Sequence, residues 1–227
     1  PPFGYRAYRL IPDGVGSDGA AADGVCAAEN EYYRISFENG RIGIYDKTAA
    51  AGLLEPDGAD FGEVLTRSAD YAVSRSAWRF VRRTVSGVRQ CLYFTASAPG
   101  HPSVAMRLVL WHGIRRFDAD FKITRDETPL LTAALAFPFK AGRADFTCDA
   151  SLHTKKPAEN LLDGAYSDIQ CVYGWIRQDD LSSGRTVLCS SPDSAVFSLS
   201  AFRDIYISTA HRCRMDAVRA RHAPETP

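Results

Sequence analysis

The sequence holds six cysteines and five histidines, yet it has no Cys-x-x-Cys pair, no His-x-His and no two histidines four residues apart. That excludes a zinc ribbon or a thioredoxin-type redox pair, and it leaves any metal site dependent on ligands remote in sequence. A surplus of one charge is also missing: Lys plus Arg is 27 and Asp plus Glu is 27. No field of one sign exists to gather polyanions or dock on an acidic bilayer, so neither nucleic acid nor membrane is expected as a partner. No run approaches the roughly 18 apolar residues that span a bilayer, and the start, Pro1-Pro2-Phe3-Gly4, carries no charged leader. There is no Asn-x-Ser/Thr sequon, and the compartment stays open. The only methionines are Met106 and Met215, so the chain is expected to be a trimmed piece of something longer.

Several catalytic signatures are absent too. There is no Gly-x-Ser-x-Gly elbow, His-Glu-x-x-His, phosphate-loop lysine or calcium loop. Gly14-x-Gly16-x-x-Gly19 matches the dinucleotide fingerprint by letter only. Pro12 precedes it and Asp23-Gly24 stops the run that follows, so the strand and helix that would present a pyrophosphate to a helix N-terminus are lacking.

What is present is alternation. Apolar residues are 45% of the chain, enough for a sizeable core. In Phe117 to Ile123 the apolar set 117, 119, 121, 123 alternates with Asp118, Asp120 and Lys122, as a half-buried strand requires. The same period runs through Tyr33 to Phe37, Val104 to Leu110 and Leu130 to Phe139, and strands are expected near 143–149, 170–177, 185–189, 195–199 and 204–208. Runs 79–86 and 89–96 around Ser86-Gly87 read as a hairpin. Asn39-Gly40 between Tyr33–Phe37 and Ile42–Tyr45 reads as another, because Asn-Gly supplies the positive φ of a type I′ turn. Helical signals are confined to Glu63–Ala69 and the tail beyond 210. Some dozen strands without crossover helices imply antiparallel pairing and a second covering sheet: an all-β fold, a large antiparallel supersandwich. Cys91, Cys171 and Cys189 fall within the alternation and are expected as small core side chains.

Residues 1–24 are expected to form an N-terminal strand and a linker from a preceding domain. Residues 25–209 are expected to form the sandwich, and 210–227 a basic tail, disordered or helical. The stretch 151–168 reads as a long loop of the kind that carries binding groups. At its end and just beyond, Tyr166, Tyr173 and Trp175 lie near Asp168, Gln170 and Arg177. That mixture suits a sugar, with flat apolar faces against C–H groups and amides or charges on hydroxyls. The candidate carbohydrate-binding set is Tyr166, Asp168, Gln170 and Trp175. Tyr173 and Trp175 would share one strand face, where core packing is the competing role. His112, after Trp111, is the first candidate for proton transfer.

Four segments carry a family resemblance. The string Glu29-Asn-Glu-Tyr-Tyr-Arg-Ile-Ser-Phe-Glu-Asn-Gly-Arg-Ile-Gly-Ile-Tyr-Asp-Lys47, followed by Gly52-Leu-Leu-Glu55, resembles the opening of the large C-terminal β domain of family 38 glycoside hydrolases, the α-mannosidases. Pro1-Pro-Phe-Gly-Tyr-Arg-Ala-Tyr8 resembles the strand leading into that domain, and Ala136-Phe-Pro-Phe139 resembles its "A-F-P-F". Asn160 to Ile176, then Gly184-Arg-Thr-Val-Leu188 and Ser191-Pro-Asp-Ser194, resemble later segments in the right order. The resemblance implies a galactose-mutarotase-like supersandwich. It implies a parent enzyme that hydrolyses α-mannosidic bonds with retention, using zinc and aspartates in an N-terminal α/β barrel outside this sequence. No catalytic residue, metal or cofactor is therefore assigned to this chain, zinc being expected in the barrel. The implied partners are that barrel and mannoside-type carbohydrate. A free-standing carbohydrate-binding or scaffold module, or a sugar mutarotase or epimerase, are the alternatives.

Overall fold

The computed structural model describes residues 26–67, 73–126, 132–150, 153–157, 159, 169–191, 196–200 and 204–208. The expected N-terminal strand and linker and the basic tail lie outside the described residues. Within them the elements are all strands. In chain order they are β1 (Ala27–Glu29), β2 (Tyr33–Glu38), β3 (Arg41–Asp46), β4 (Ala51–Gly52), β5 (Val64–Arg67) and β6 (Val73–Arg75). Next come β7 (Arg79–Val85), β8 (Arg89–Ala98), β9 (His101–Trp111), β10 (Phe117–Thr124), β11 (Thr132–Phe137) and β12 (Ala144–Ala150). The last are β13 (His153–Lys155), β14 (Ile169–Cys171), β15 (Trp175–Asp180), β16 (Arg185–Ser190), β17 (Val196–Ser200) and β18 (Asp204–Ser208).

All pairing is antiparallel, in four sheets ordered β1-β2-β3-β4, β10-β9-β8-β7, β14-β17-β18-β11-β5-β6 and β13-β12-β15-β16. The result is an all-β antiparallel sandwich. Asn39 and Gly40 have φ of 53° and 77°, and Glu38 faces Arg41, so the two-residue I′ turn forms as its sequence requires. The 79–96 hairpin forms as β7–β8, with a register shift between Phe80 and Arg82.

The core is built from the alternation. Val104, Met106, Leu108 and Leu110 of β9 are at most 1% exposed, and Phe117, Ala119, Phe121 and Ile123 of β10 pack beside them. Phe61 stands edge-on to Phe137 at 5.1 Å and to Phe117 at 5.9 Å, which joins two sheets through one ring. Each such buried side chain contributes about 1.5–3 kcal/mol.

Four expectations are corrected. Within the expected helix Glu63–Ala69, the described Val64–Arg67 form a strand. Glu63 Oε2 accepts the Asp60 N–H at 2.6 Å, Asp60 Oδ1 accepts the Phe61 N–H at 2.8 Å and the Ile42 N–H at 3.0 Å, and the Glu63 N–H donates to the Asp60 backbone carbonyl at 3.1 Å. The β-prone Val64–Arg67 that follows pairs with β11, so this hydrogen-bonded turn opens a strand. The expected strand 170–177 is two strands in different sheets, β14 and β15, joined by Val172–Gly174. Within the expected loop 151–168, His153–Lys155 is a strand paired with β12. Cys91 is buried as expected and Cys189 is half-buried, but Cys171 ends β14 exposed at the crossover.

A short strap joins residues 53–55 to residues 138–140. Leu54 bridges Phe139, the Glu55 N–H donates to the Pro138 carbonyl at 2.9 Å, and the Lys140 N–H donates to the Leu53 carbonyl at 2.7 Å. These bonds hold the chain after β4 against the chain after β11.

Candidate functional site

Tyr166 and Asp168 lie outside the described residues. Gln170 sits at the centre of β14 and is 2% exposed, so its amide is inside the fold. Trp175 is half-buried at the start of β15, opposite Ser190. Tyr173 does not share its strand: it lies in the bend between the two sheets, 73% exposed, with its N–H donating to Asp149 Oδ1 at 2.8 Å. The reason is Gly174 and the change of sheet, which break the alternation that a single strand would impose. The structure thus places Gln170 and Trp175 in different sheets rather than on one strand.

Trp175 shares the outer side of β15 with Arg177 and Asp179, since Ile176 and Gln178 point inward. Cross-strand register adds residues that sequence proximity does not suggest. Arg177 Nε donates to Asp179 Oδ2 at 2.8 Å, Thr186 Oγ1 to Asp179 Oδ1 at 2.6 Å, and Arg177 Nη2 reaches Thr147 Oγ1 at 3.5 Å. Lys156 pairs with Asp145 at 3.1 Å, and Leu188, opposite Arg177, is 64% exposed. The face therefore offers planar charged groups and the Thr186 hydroxyl, bordered by Trp175, Leu188 and Tyr173, with Thr147 buried beneath Arg177. The alternating Trp-x-Arg-x-Asp of β15 was the legible signal. Thr147, Thr186 and Asp145 enter only through register.

Beside this hairpin opens a cleft of about 330 Å³, whose charged lining is Asp46, Arg115, Lys140, Asp180 and Arg185. Its walls are tied to each other. The Arg143 N–H donates to Asp180 Oδ1 at 3.3 Å, the Leu181 N–H to the Arg143 carbonyl at 2.9 Å, and Arg185 Nη1 to the Gly52 carbonyl at 3.3 Å. A Cβ on Gly142 would meet Ser182 Oγ at 2.9 Å, so this glycine permits the close approach of the two loops.

Both carboxylates are stabilised as anions. Hydrogen bonds from the Ser183 hydroxyl first, then from the N–H groups of Ser182 and Arg143 and from Arg185, overcome burial and hold Asp180 well below the usual aspartate range. Burial opposes ionisation of Asp46, but the Ala49 N–H, the Arg115 guanidinium and the Thr48 N–H outweigh it and lower its pKa.

His112 lies in the turn after β9, its Nδ1 3.8 Å from Glu31 Oε1, and Glu31 also accepts the Gly113 N–H at 3.0 Å. Glu31 belongs to the β1–β2 turn and His112 to the β9–β10 connection, and their side chains are 55% and 34% exposed. An epimerase would instead need the acid and base facing each other across a sugar in a concave surface. Among the described residues no group of three or more His, Cys, Asp and Glu side chains is placed to hold a metal ion.

No protein-family model and no curated sequence matches the chain. Among solved structures, an alpha-mannosidase from Enterococcus faecalis V583 superposes with a TM-score of 0.65 at 10% identity, over 84% of this chain and 26% of that one. A protein in glycosyl hydrolase family 38 from Enterococcus faecalis superposes with a TM-score of 0.63 at 9% identity, over 90% of this chain and 28% of that one. At such identities the likeness is one of fold, and the chain spans only about a quarter of each of these larger proteins.

Proposed function

We propose that this chain is the non-catalytic C-terminal β-sandwich portion of an α-mannosidase-like glycoside hydrolase, supporting a catalytic barrel and contributing to carbohydrate binding. The observation that carries the reading is the extent of the fold likeness: most of this chain superposes on a minor part of a protein described as an alpha-mannosidase. The ordered sequence resemblances, from Glu29–Lys47 through Ser191–Ser194, run the same way. In this reading zinc and the hydrolytic carboxylates belong to the barrel, and the sandwich presents its β12–β15–β16 outer face to the glycan. Trp175 would lie along the sugar's apolar face, with Arg177 and Asp179 on its hydroxyls.

The test is turnover of an aryl α-mannoside, measured on the isolated chain and on a longer protein that includes it. The expected result is hydrolysis and bound zinc in the longer protein and neither in the chain alone. Turnover by the chain alone would overturn the assignment.

A further inference from the structure

The cleft between the β3–β4 turn, the β9–β10 loop and the β15–β16 hairpin is lined by three cations, Arg115, Lys140 and Arg185, and two carboxylates, Asp46 and Asp180. Counting charges alone leaves an excess of one positive. Hydrogen bonding makes that excess available. Asp46 Oδ1 is taken by the N–H groups of Thr48 at 2.8 Å and Ala49 at 3.1 Å, so Arg115 reaches only Oδ2, through Nη2 at 3.2 Å. Asp180 is saturated by Ser182, Ser183 and Arg143 from its own loops, and Arg185 meets it only at 3.5 Å. Lys140 has no ion pair or hydrogen bond on its ammonium among the described residues, and its backbone is pinned to Leu53. The donors left over are the Lys140 Nζ–H groups and the Arg115 N–H groups not engaged by Asp46 or the neighbouring Tyr33 hydroxyl, in a cleft whose walls are cross-braced before any ligand arrives.

We propose that this cleft is a binding site for a small oxyanion, the phosphate or carboxylate group of a ligand, held by Lys140 and Arg115 while Arg185 braces the hairpin. A negatively charged acceptor supplies what the lining lacks, and charge-assisted hydrogen bonds from ammonium and guanidinium are the strong kind. The proposal does not depend on the glycosidase reading, because it rests only on this chain's own side chains.

Inorganic phosphate and acetate are titrated separately into the full 227-residue chain at ionic strength held constant with chloride, following backbone amide shifts. Saturable shifts confined to the cleft segments are expected, with Lys140→Gln weakening binding by about tenfold or more and Lys140→Arg restoring most of it. Lys122→Gln, an exposed lysine on β10, should change nothing. Saturation by phosphate alone assigns a phosphorylated ligand, by acetate alone a carboxylate, and by both a shared oxyanion site. Shifts that do not saturate, that scatter over basic surface, or that ignore Lys140→Gln would overturn it.

Discussion

Arg75 grips Glu63 with two parallel hydrogen bonds, Nε to Oε1 and Nη2 to Oε2, both 2.7 Å. The Glu63 side chain is 3% exposed and that of Arg75 is 55% exposed, so a buried anion is neutralised by a cation that keeps its hydration. Glu63 also accepts the Asp60 N–H, which makes it the keystone of the turn before β5. Removing the cation leaves that carboxylate without its charged partner. Arg75→Met is expected to cost about 2–3 kcal/mol, discounted for the exposed side of the pair. Denaturant melts of Arg75→Met, Glu63→Gln and the double variant check it, a coupling near zero being the contrary result.

Gly62 has a φ of 68°, and a Cβ there would lie 2.8 Å from Phe121 Cζ and 3.0 Å from Met106 Sδ. Gly40 has a φ of 77° with nothing within 4 Å. Gly40→Ala should therefore show backbone strain alone, about 1 kcal/mol. Gly62→Ala should add overpacking and reach about 2–4 kcal/mol. Equal losses in thermal or chemical melts would refute the packing argument.

The fold lowers the pKa of Asp180, so the unfolded chain takes up a proton first as pH falls. The stabilisation is fully present above the ordinary aspartate value of about 4 and drains away below it, through the depressed folded value. Asp180→Asn should accordingly be most destabilising above about pH 5 and converge on the parent chain in stronger acid. A stability gap that stays constant over this range would count against it.

Under the proposed function, Trp175→Ala should weaken binding of α-mannosides by several-fold to about tenfold with little change in melting temperature, since the ring lies on the outer side of β15. Gln170→Ala should do the reverse, because that amide is buried. Calorimetric titration and melting curves on the two variants separate the roles.

Burial pushes the Cys148 thiol up to about 11, whereas Cys171 is exposed at the end of β14. Near pH 8 a maleimide should modify Cys171 well before Cys148 in the native chain, with the difference lost on unfolding. Peptide mass mapping at timed quench points reads this directly.

Local chemistry was legible wherever one segment carries its own instruction. Asn39-Gly40 needs nothing beyond its two residues to make the I′ turn, and the period of two in 104–110 and 117–123 dictates which side chains enter the core whatever sheet they join. The short apolar run at 63–69 was ambiguous for a physical reason. So short a run does not separate the helical period from the strand period, and whether a helix or a strand forms depends on β11 being there to pair with Val64–Arg67.

The amino-acid order by itself determined that this is an all-β chain with its core faces assigned, because alternation and turn residues act over a few positions. Only the tertiary structure decided that Ile169–Cys171 and Trp175–Asp180 part into separate sheets, and that Asp46, Arg115, Lys140 and Arg185 meet around one cleft. Those residues stand far apart along the chain. Their meeting depends on strand register and on the strap between 53–55 and 138–140, which no local pattern encodes.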